Sequence, residues 1–307
     1  GLYDDQGYGI AVDASGNCYA TGHTASPDWV SGGFKVLYSG NTDGYIVKFS
    51  NLGIHQWSTY VGGTNLDVGR GIGVDANGNC YAGGATLSPG WASGGFNTMY
   101  RGGTLSGDGY VVKLSSAGNH VWSTYLGGSN DDGGYSIALD AIGSCYVVGS
   151  TESLGWVSGG WNPVHNGGVD GFVVKLSSAG AHLWSSYVGG TDTDACRGVA
   201  VDSNGNCYIT GDSMSSGWVD RGWDTSLNGN YDGFVLKLST TGSTLWSSYL
   251  GGANEDHGIG AIVDASGNCY VAGTMQSSGW ASGGWDTTLE GNQDGFVAKI
   301  SQLPAPE

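Results

Sequence analysis

The sequence predicts an all-β protein, a five-bladed β-propeller with four antiparallel strands per blade. Three observations carry that expectation. One text recurs five times, each copy holds four short apolar segments, and Gly, Asn, Asp or Ser bounds nearly every segment. Anchored on "GNCY" or "GSCY", the copies place Cys18, Cys80, Cys145, Cys207 and Cys269 at spacings of 62, 65, 62 and 62. The repeats run approximately 1–63, 64–128, 129–190, 191–252 and 253–301, a single propeller over 1–301, with 302–307 a tail or linker.

Within a copy the first segment ends in Asp ("GIAVD", 9–13) and a turn leads into the second, "CYATG". A long Trp/Gly loop follows. The third segment is "DGFVVKLS" (170–177), and a short turn joins it to the fourth, "HLWSSYVGG" (182–190). The segments are 5–8 residues long and rich in Val, Ile, Tyr and Phe, which suits strands and gives no helical period. Turns such as "DASGN" and "LSSAG" are short enough for hairpins. The fifth copy stops after "DGFVAKIS" and runs into "QLPAPE", so the last blade lacks its outer strand within this chain. A strand from upstream of Gly1 would close that blade; without it, the open edge would be available to a neighbouring subunit.

Composition narrows the function classes. Sixty glycines without a collagen period and only 5 prolines argue for many tight turns. Twelve Trp and 17 Tyr supply enough aromatic area for a core. A net charge of −17 repels phosphate backbones and anionic lipid, which argues against nucleic-acid binding. No apolar run approaches a membrane span, so no insertion is expected, and the segment carries no signal peptide.

The text "GIAVD…GN-Y-TG…DGFV-KL…W-SYLGG" resembles the bacterial secreted repeat named after seven-bladed β-propellers, the SBBP repeat, over essentially all of the chain. The resemblance implies a propeller on large extracellular or cell-surface bacterial proteins. It implies no activity, because a fold does not fix a function. The chain departs from the family in having five repeats, and in carrying Cys after "GN" where Val or Ala is expected.

Three aspartates recur in every copy. Asp5, Asp67, Asp132, Asp194 and Asp256 enter the inner strand. They are candidate Ca²⁺ ligands if they converge at a channel mouth, against the simpler role of capping turns. Asp13, Asp75, Asp140, Asp202 and Asp264 end the inner strand and suit turn formation. Asp43, Asp108, Asp170, Asp232 and Asp294 open the third strand, followed by Lys48, Lys113, Lys175, Lys237 and Lys299. A lysine among apolar neighbours needs a carboxylate, which predicts an inter-blade Asp–Lys lattice. The repeated cysteines read as buried and unbridged, since packed sheets about 10 Å apart exceed disulfide reach. Cys196 has no counterpart and reads as a free thiol.

The Trp/Gly loops hold two aromatics each. Trp29, Trp91, Trp156, Trp218 and Trp280 are candidate ligand-binding residues, flat rings suited to glycans and multiplied by valency. Phe34, Phe96, Trp161, Trp223 and Trp285 suit plugs at blade junctions. Trp57, Trp122, Trp184 and Trp246 lie in the outer strand, as packing with some exposed for subunit contacts. His120 and His182, with His55, suit a solvated surface. No G-x-S-x-G, HExxH or P-loop is present. The expectation is therefore a non-enzymatic extracellular scaffold or protein-interaction module, able to self-associate and requiring no cofactor. A multivalent lectin is the alternative. A glycosidase is third, because its carboxylate pair would need asymmetry, and the non-repeated acids Glu152, Glu255, Glu290, Asp28, Asp192, Asp212 and Asp220 are scattered.

Overall fold

The computed structural model describes residues 1–300; the tail 302–307 lies outside the described residues. The protein is all-β with five propeller-type blades, and the described residues contain no helix. The first sheet is β1 (Asp5–Val12), β2 (Cys18–Thr24), β3 (Asp43–Phe49) and β4 (His55–Val61). The second is β5 (Asp67–Val74), β6 (Cys80–Thr86), β7 (Asp108–Leu114) and β8 (His120–Leu126). The third is β9 (Asp132–Leu139), β10 (Cys145–Thr151), β11 (Asp170–Leu176) and β12 (His182–Val188). The fourth is β13 (Asp194–Val201), β14 (Cys207–Ser213), β15 (Asp232–Leu238) and β16 (Thr244–Leu250). The fifth has three strands, β17 (Asp256–Val263), β18 (Cys269–Met275) and β19 (Asp294–Ile300). Each sheet is a meander in chain order.

The turns follow from the repeated Asp. Asp75 Oδ1 accepts the N–H groups of Asn77 and Asn79, and Oδ2 accepts the Asn79 side-chain amide at 2.8 Å. Gly78 supplies the positive φ (76°) that the tight reversal demands. The same arrangement recurs at Asp13, Asp202 and Asp264.

The described chain forms two compact units, residues 1–156 with 175–183, and 157–174 with 184–300. In the first unit, consecutive sheets are joined through the outer-strand tryptophans. Trp57 and Trp122 are 4% and 2% exposed. Their indole N–H groups donate to the carbonyls of Ser116 and Ser178, in turns of the following sheet. Lys48 and Lys113 donate to the same two carbonyls. Nearer the inner strands, the Tyr19 and Tyr81 hydroxyls donate to the carbonyls of Gly78 and Gly143. The second unit repeats these joints with Trp184 to Thr240 and Tyr208 to Gly267. Each buried indole removes roughly 150–250 Å² from water. The outer tryptophans are thus all buried packing, including Trp246; the expectation that some face solvent is corrected, because each lies against the core.

The long loop after the second strand does not hang free. It runs back along its own outer strand as a short parallel rung: Ser58 N donates to Ser31 O, and Tyr60 N to Lys35 O. Ser58 Oγ and Thr59 Oγ1 accept the N–H groups of Ser31 and Lys35. Equivalent bonds serve Ser123 and Thr124, Ser185 and Ser186, and Ser247 and Ser248. That explains the recurring "WSSY" and "WSTY": the small hydroxyl residues let the loop approach and satisfy its amides. The rung also covers part of the edge that a last strand otherwise leaves open.

The turn glycines facing the indoles are the tightest points. A Cβ on Gly118 (φ 81°) would lie 2.8 Å from the Trp57 ring, and Gly180 and Gly242 stand the same way to Trp122 and Trp184. Gly53 has the same turn conformation (φ 75°) with nothing within 4 Å. Gly118→Ala is therefore expected to cost about 2–4 kcal/mol and Gly53→Ala only about 1–2 kcal/mol. Urea unfolding of the two variants checks it; equal losses would mean that the indole contact contributes nothing.

Candidate functional site

The aspartate that enters each inner strand is the centre of a local hydrogen-bond cluster. Asp67 is fully buried. It accepts from Thr86 Oγ1, from Ser88 Oγ at 2.9 Å and from Gly63 N at 2.8 Å. Trp91 Nε1 donates to that same Thr86 oxygen at 3.1 Å, so indole, hydroxyl and carboxylate form one chain. Asp132 with Thr151, Ser153 and Trp156 repeats it, as do Asp194 with Ser213, Ser215 and Trp218. Asp5 adds the N-terminal amine to Thr24 and Ser26, and Trp29 donates to Thr24. Burial raises Asp67, Asp132 and Asp194 to about 6, outweighing the hydrogen bonds that pull the other way. The fifth copy differs. Met275 stands where the others have Thr or Ser, Asp256 takes the N–H groups of Gln276 and Ser277, and Trp280 Nε1 has no partner.

These five aspartates are thus held by hydroxyl or amide donors that precede and follow them in the chain. Among the described residues no group of three or more His, Cys, Asp or Glu side chains is placed to hold a metal ion.

The candidate ligand-binding tryptophans Trp29, Trp91, Trp156, Trp218 and Trp280 are half-buried. Trp29 packs edge-on against Tyr45 and Tyr60, Trp91 against Tyr110 and Tyr125, and Trp218 against Phe234 and Tyr249. The second loop aromatic is the more open one: Phe34, Phe96, Trp223 and Trp285 are 38%, 42%, 51% and 101% exposed. Phe34 and Phe96 do reach His120 and His182. Those histidines are accordingly half-buried rather than solvated, and burial lowers both. Trp285 plugs no junction among the described residues, where the fifth sheet has three strands and no outer one to carry its loop.

The lysine expectation also changes in detail. Lys113, Lys175 and Lys237 lie 3.9, 3.6 and 3.9 Å from Asp75, Asp140 and Asp202, the turn aspartates of their own sheets, and over Tyr81, Tyr146 and Tyr208. What crosses between sheets is the lysine-to-carbonyl bond. Asp43, Asp108 and Asp232 instead accept N–H groups of the long loop, from Ser39, Arg101 and Asn228, and so fix its end. The six cysteines are free; Cys18 is half-buried and the others are buried. Burial pushes Cys80, Cys145 and Cys269 up to about 12.

One feature escapes a reading for what recurs. Every inner strand carries a β-bulge, and the extra residue is Tyr8, Arg70, Tyr135, Arg197 and Ile259 in turn. In the first unit Arg70 lies over Tyr8 and Tyr135. In the second, Arg197 and His257 both meet the buried Asp212, His257 at 3.1 Å through Nδ1. The sequence signal was divergence: these positions vary while their neighbours repeat.

Repeated four-stranded meanders, bolted sheet to sheet, define a β-propeller repeat protein. The SBBP β-propeller repeat matches residues 1–27, 56–90, 121–154 and 183–217, and these parts of the chain are repeats of that family. The regulatory protein FlaEY of Caulobacter vibrioides is 26% identical over 287 residues, 86% of this chain and 28% of its own length. An uncharacterised WD-repeat-containing protein of Acanthamoeba polyphaga mimivirus is 22% identical, over 76% of this chain and 21% of its own length. The chain therefore spans under a third of either relative. Among solved structures, the calcium-binding protein regucalcin of Agrobacterium tumefaciens gives a TM-score of 0.38 at 10% identity, covering 88% of this chain and 82% of that one. Sqt1 of Chaetomium thermophilum gives 0.36 at 11%, covering 98% and 88%.

Two outcomes follow from the carboxylate clusters. Thr86→Val leaves the Trp91 N–H and Asp67 each short of a partner, and is expected to cost about 1–3 kcal/mol in urea unfolding. A carboxyl raised from 3.8 to about 6 holds its proton more tightly folded than unfolded. Stability should therefore fall as pH rises from about 4 to about 6 and level off above. His23, His120 and His182, lowered from 6.5, act with the opposite sign. Melting temperature against pH measures the net slope, and Asp132→Asn should flatten it.

Proposed function

We propose that the chain is a non-enzymatic β-propeller scaffold that engages protein partners by strand addition at the edge of its fifth sheet. The observation that supports this is the contrast between sheets. In the fourth sheet β15 is paired with β16, and Val235 is fully buried; in the fifth, β19 pairs only with β18 among the described residues, and Val297 is 76% exposed. A groove of about 900 Å³ runs there, lined by Trp223, Met275, Trp280, Trp285, Phe296 and Val297 among others. An incoming strand finds main-chain groups to pair and apolar side chains to cover.

The other four sheets supply the chemistry of that strand. It places Trp into the core, Ser and Ser or Thr against the loop, and Tyr with its hydroxyl on a loop carbonyl, as Tyr60 and Tyr125 bond Ser26 and Ser88. Self-association is one form of the same contact. The resemblance to the repeat family supports an extracellular, bacterial cell-surface setting, and the name of the Caulobacter relative, a regulatory protein, supports an interaction role over a catalytic one. The glycan reading has less support, since Trp29, Trp91, Trp156 and Trp218 commit their N–H groups internally.

A peptide of residues 243–252, STLWSSYLGG, tests the proposal. It should bind the whole protein saturably and shift the emission of Trp285 to the blue, with Trp285→Ala weakening it and a scrambled peptide inert. Equal binding of native and scrambled peptides, or none by either, would overturn strand addition.

A further inference from the structure

The bulge residues carry a second, independent inference. A β-bulge lifts one side chain out of the ladder and re-aims it, a device common beside binding sites. Here the lifted position is the one that diverges, while the Asp that starts the inner strand and the Gly before the bulge stay constant in at least four copies. Structural need fixes the frame, and the bulge presents the variable group.

In the first unit the variable groups fit one another. The Arg70 guanidinium lies 5.5 Å from the ring centroid of Tyr8, on the sheet before, and 5.3 Å from that of Tyr135, on the sheet after. Both rings are tethered: the Tyr8 hydroxyl donates to Gln6 at 2.6 Å, and the Tyr135 hydroxyl lies 2.8 Å from Ser150 Oγ. His23 stacks on Tyr8 at 5.6 Å, and its buried Nδ1 has no hydrogen-bond partner. Burial, reinforced by the charge of Arg70, lowers His23.

The charge of Arg70 is met by rings and not by a carboxylate. Lys35, Lys113, Lys175, Lys237, Arg197 and Arg221 each have a carboxylate within 4.0 Å, in a protein of net charge −17. Arg70, like Lys48, Arg101 and Lys299, has no carboxylate at that distance among the described residues, and it lies between two tyrosine rings. We propose that Arg70, clamped between Tyr8 and Tyr135, anchors a binding site for a ligand bearing a single carboxylate. Rings that flank the guanidinium leave its N–H edge as the group on offer, and that planar fork matches a carboxylate. The rings hold the side chain in place, so little of its freedom is lost on binding. The surrounding negative field penalises each further charge on the ligand, which selects a monoanion over phosphate.

The test is an NMR titration of the Arg70 side-chain Nε–Hε signal in the full chain, with sodium acetate as the probe and sodium chloride at matched ionic strength. Acetate should produce a saturable shift that chloride does not. Arg70→Lys keeps the charge but loses the fork, and should weaken acetate roughly tenfold. Tyr8→Leu should weaken it while leaving the signal present. Melting temperature monitors folding in each variant. Identical acetate and chloride responses would overturn the site, and tighter binding of inorganic phosphate than of acetate would overturn the single-carboxylate assignment. Neither result bears on the open strand edge, which lies in the other unit.

Discussion

The joint between an outer-strand indole and the turn of the following sheet sets the terms for the rest of this structure. Trp57 lies on Gly118 and donates to the Ser116 carbonyl, two residues before that glycine. The ring can lie so close because the turn requires φ 81°, a conformation that selects glycine on its own account, and the missing Cβ then opens a seat for the indole. Local backbone need and long-range packing ask for the same residue, so one choice satisfies both. Lys48 adds a charged donor to the carbonyl that the indole uses, and its ammonium lies over the Tyr19 ring. Repeating this joint lets near-identical sheets stack without a distinct interface for each pair.

A second consequence concerns the buried carboxylates. Asp67, Asp132 and Asp194 sit where water is excluded, and burial alone would make them costly. These three are supplied with Thr or Ser hydroxyls and with a backbone N–H from the end of the preceding repeat, and the Trp of the long loop locks onto that hydroxyl. The loop is thereby tied along its length: Trp91 to Thr86, Ser93 to Ser123, Asn97 to Thr124 and Arg101 to Asp108. A glycine-rich segment becomes rigid because its amides are answered in turn, although its composition suggests flexibility.

Much of this was legible in the sequence. The 62-residue period, four strands per copy, the Asp turns and the unbridged cysteines all follow from residue types at fixed spacing. What stayed hidden depends on partners brought together only by folding. The parallel rung between the long loop and the outer strand joins residues 27 apart, and no periodicity marks it. The roles of the two loop aromatics turn on that rung, since it decides which ring faces inward; Trp91 is pinned while Phe96 remains open. The lysines found carboxylates in their own sheets because the Asp turn and the lysine lie at the same end of neighbouring strands, a matter of register rather than composition. Arg70 and its counterparts were visible as the places where repetition fails. A search for shared text passes over them.

Repetition with local divergence separates two kinds of constraint. Positions that hold the joint and the carboxylate cluster cannot change without cost in every copy, because each contacts the next sheet or ties down a loop. The bulge residue is released from the ladder, so the sheet does not dictate its identity. The fifth sheet makes the complementary point. It keeps Asp256, Cys269, Trp280 and Phe296 in their usual places, yet Trp285 stands in solvent and Gly283 and Gly284 meet almost nothing. Three strands are enough to place the inner residues. The outer one is what turns the long loop from an exposed segment into part of the wall.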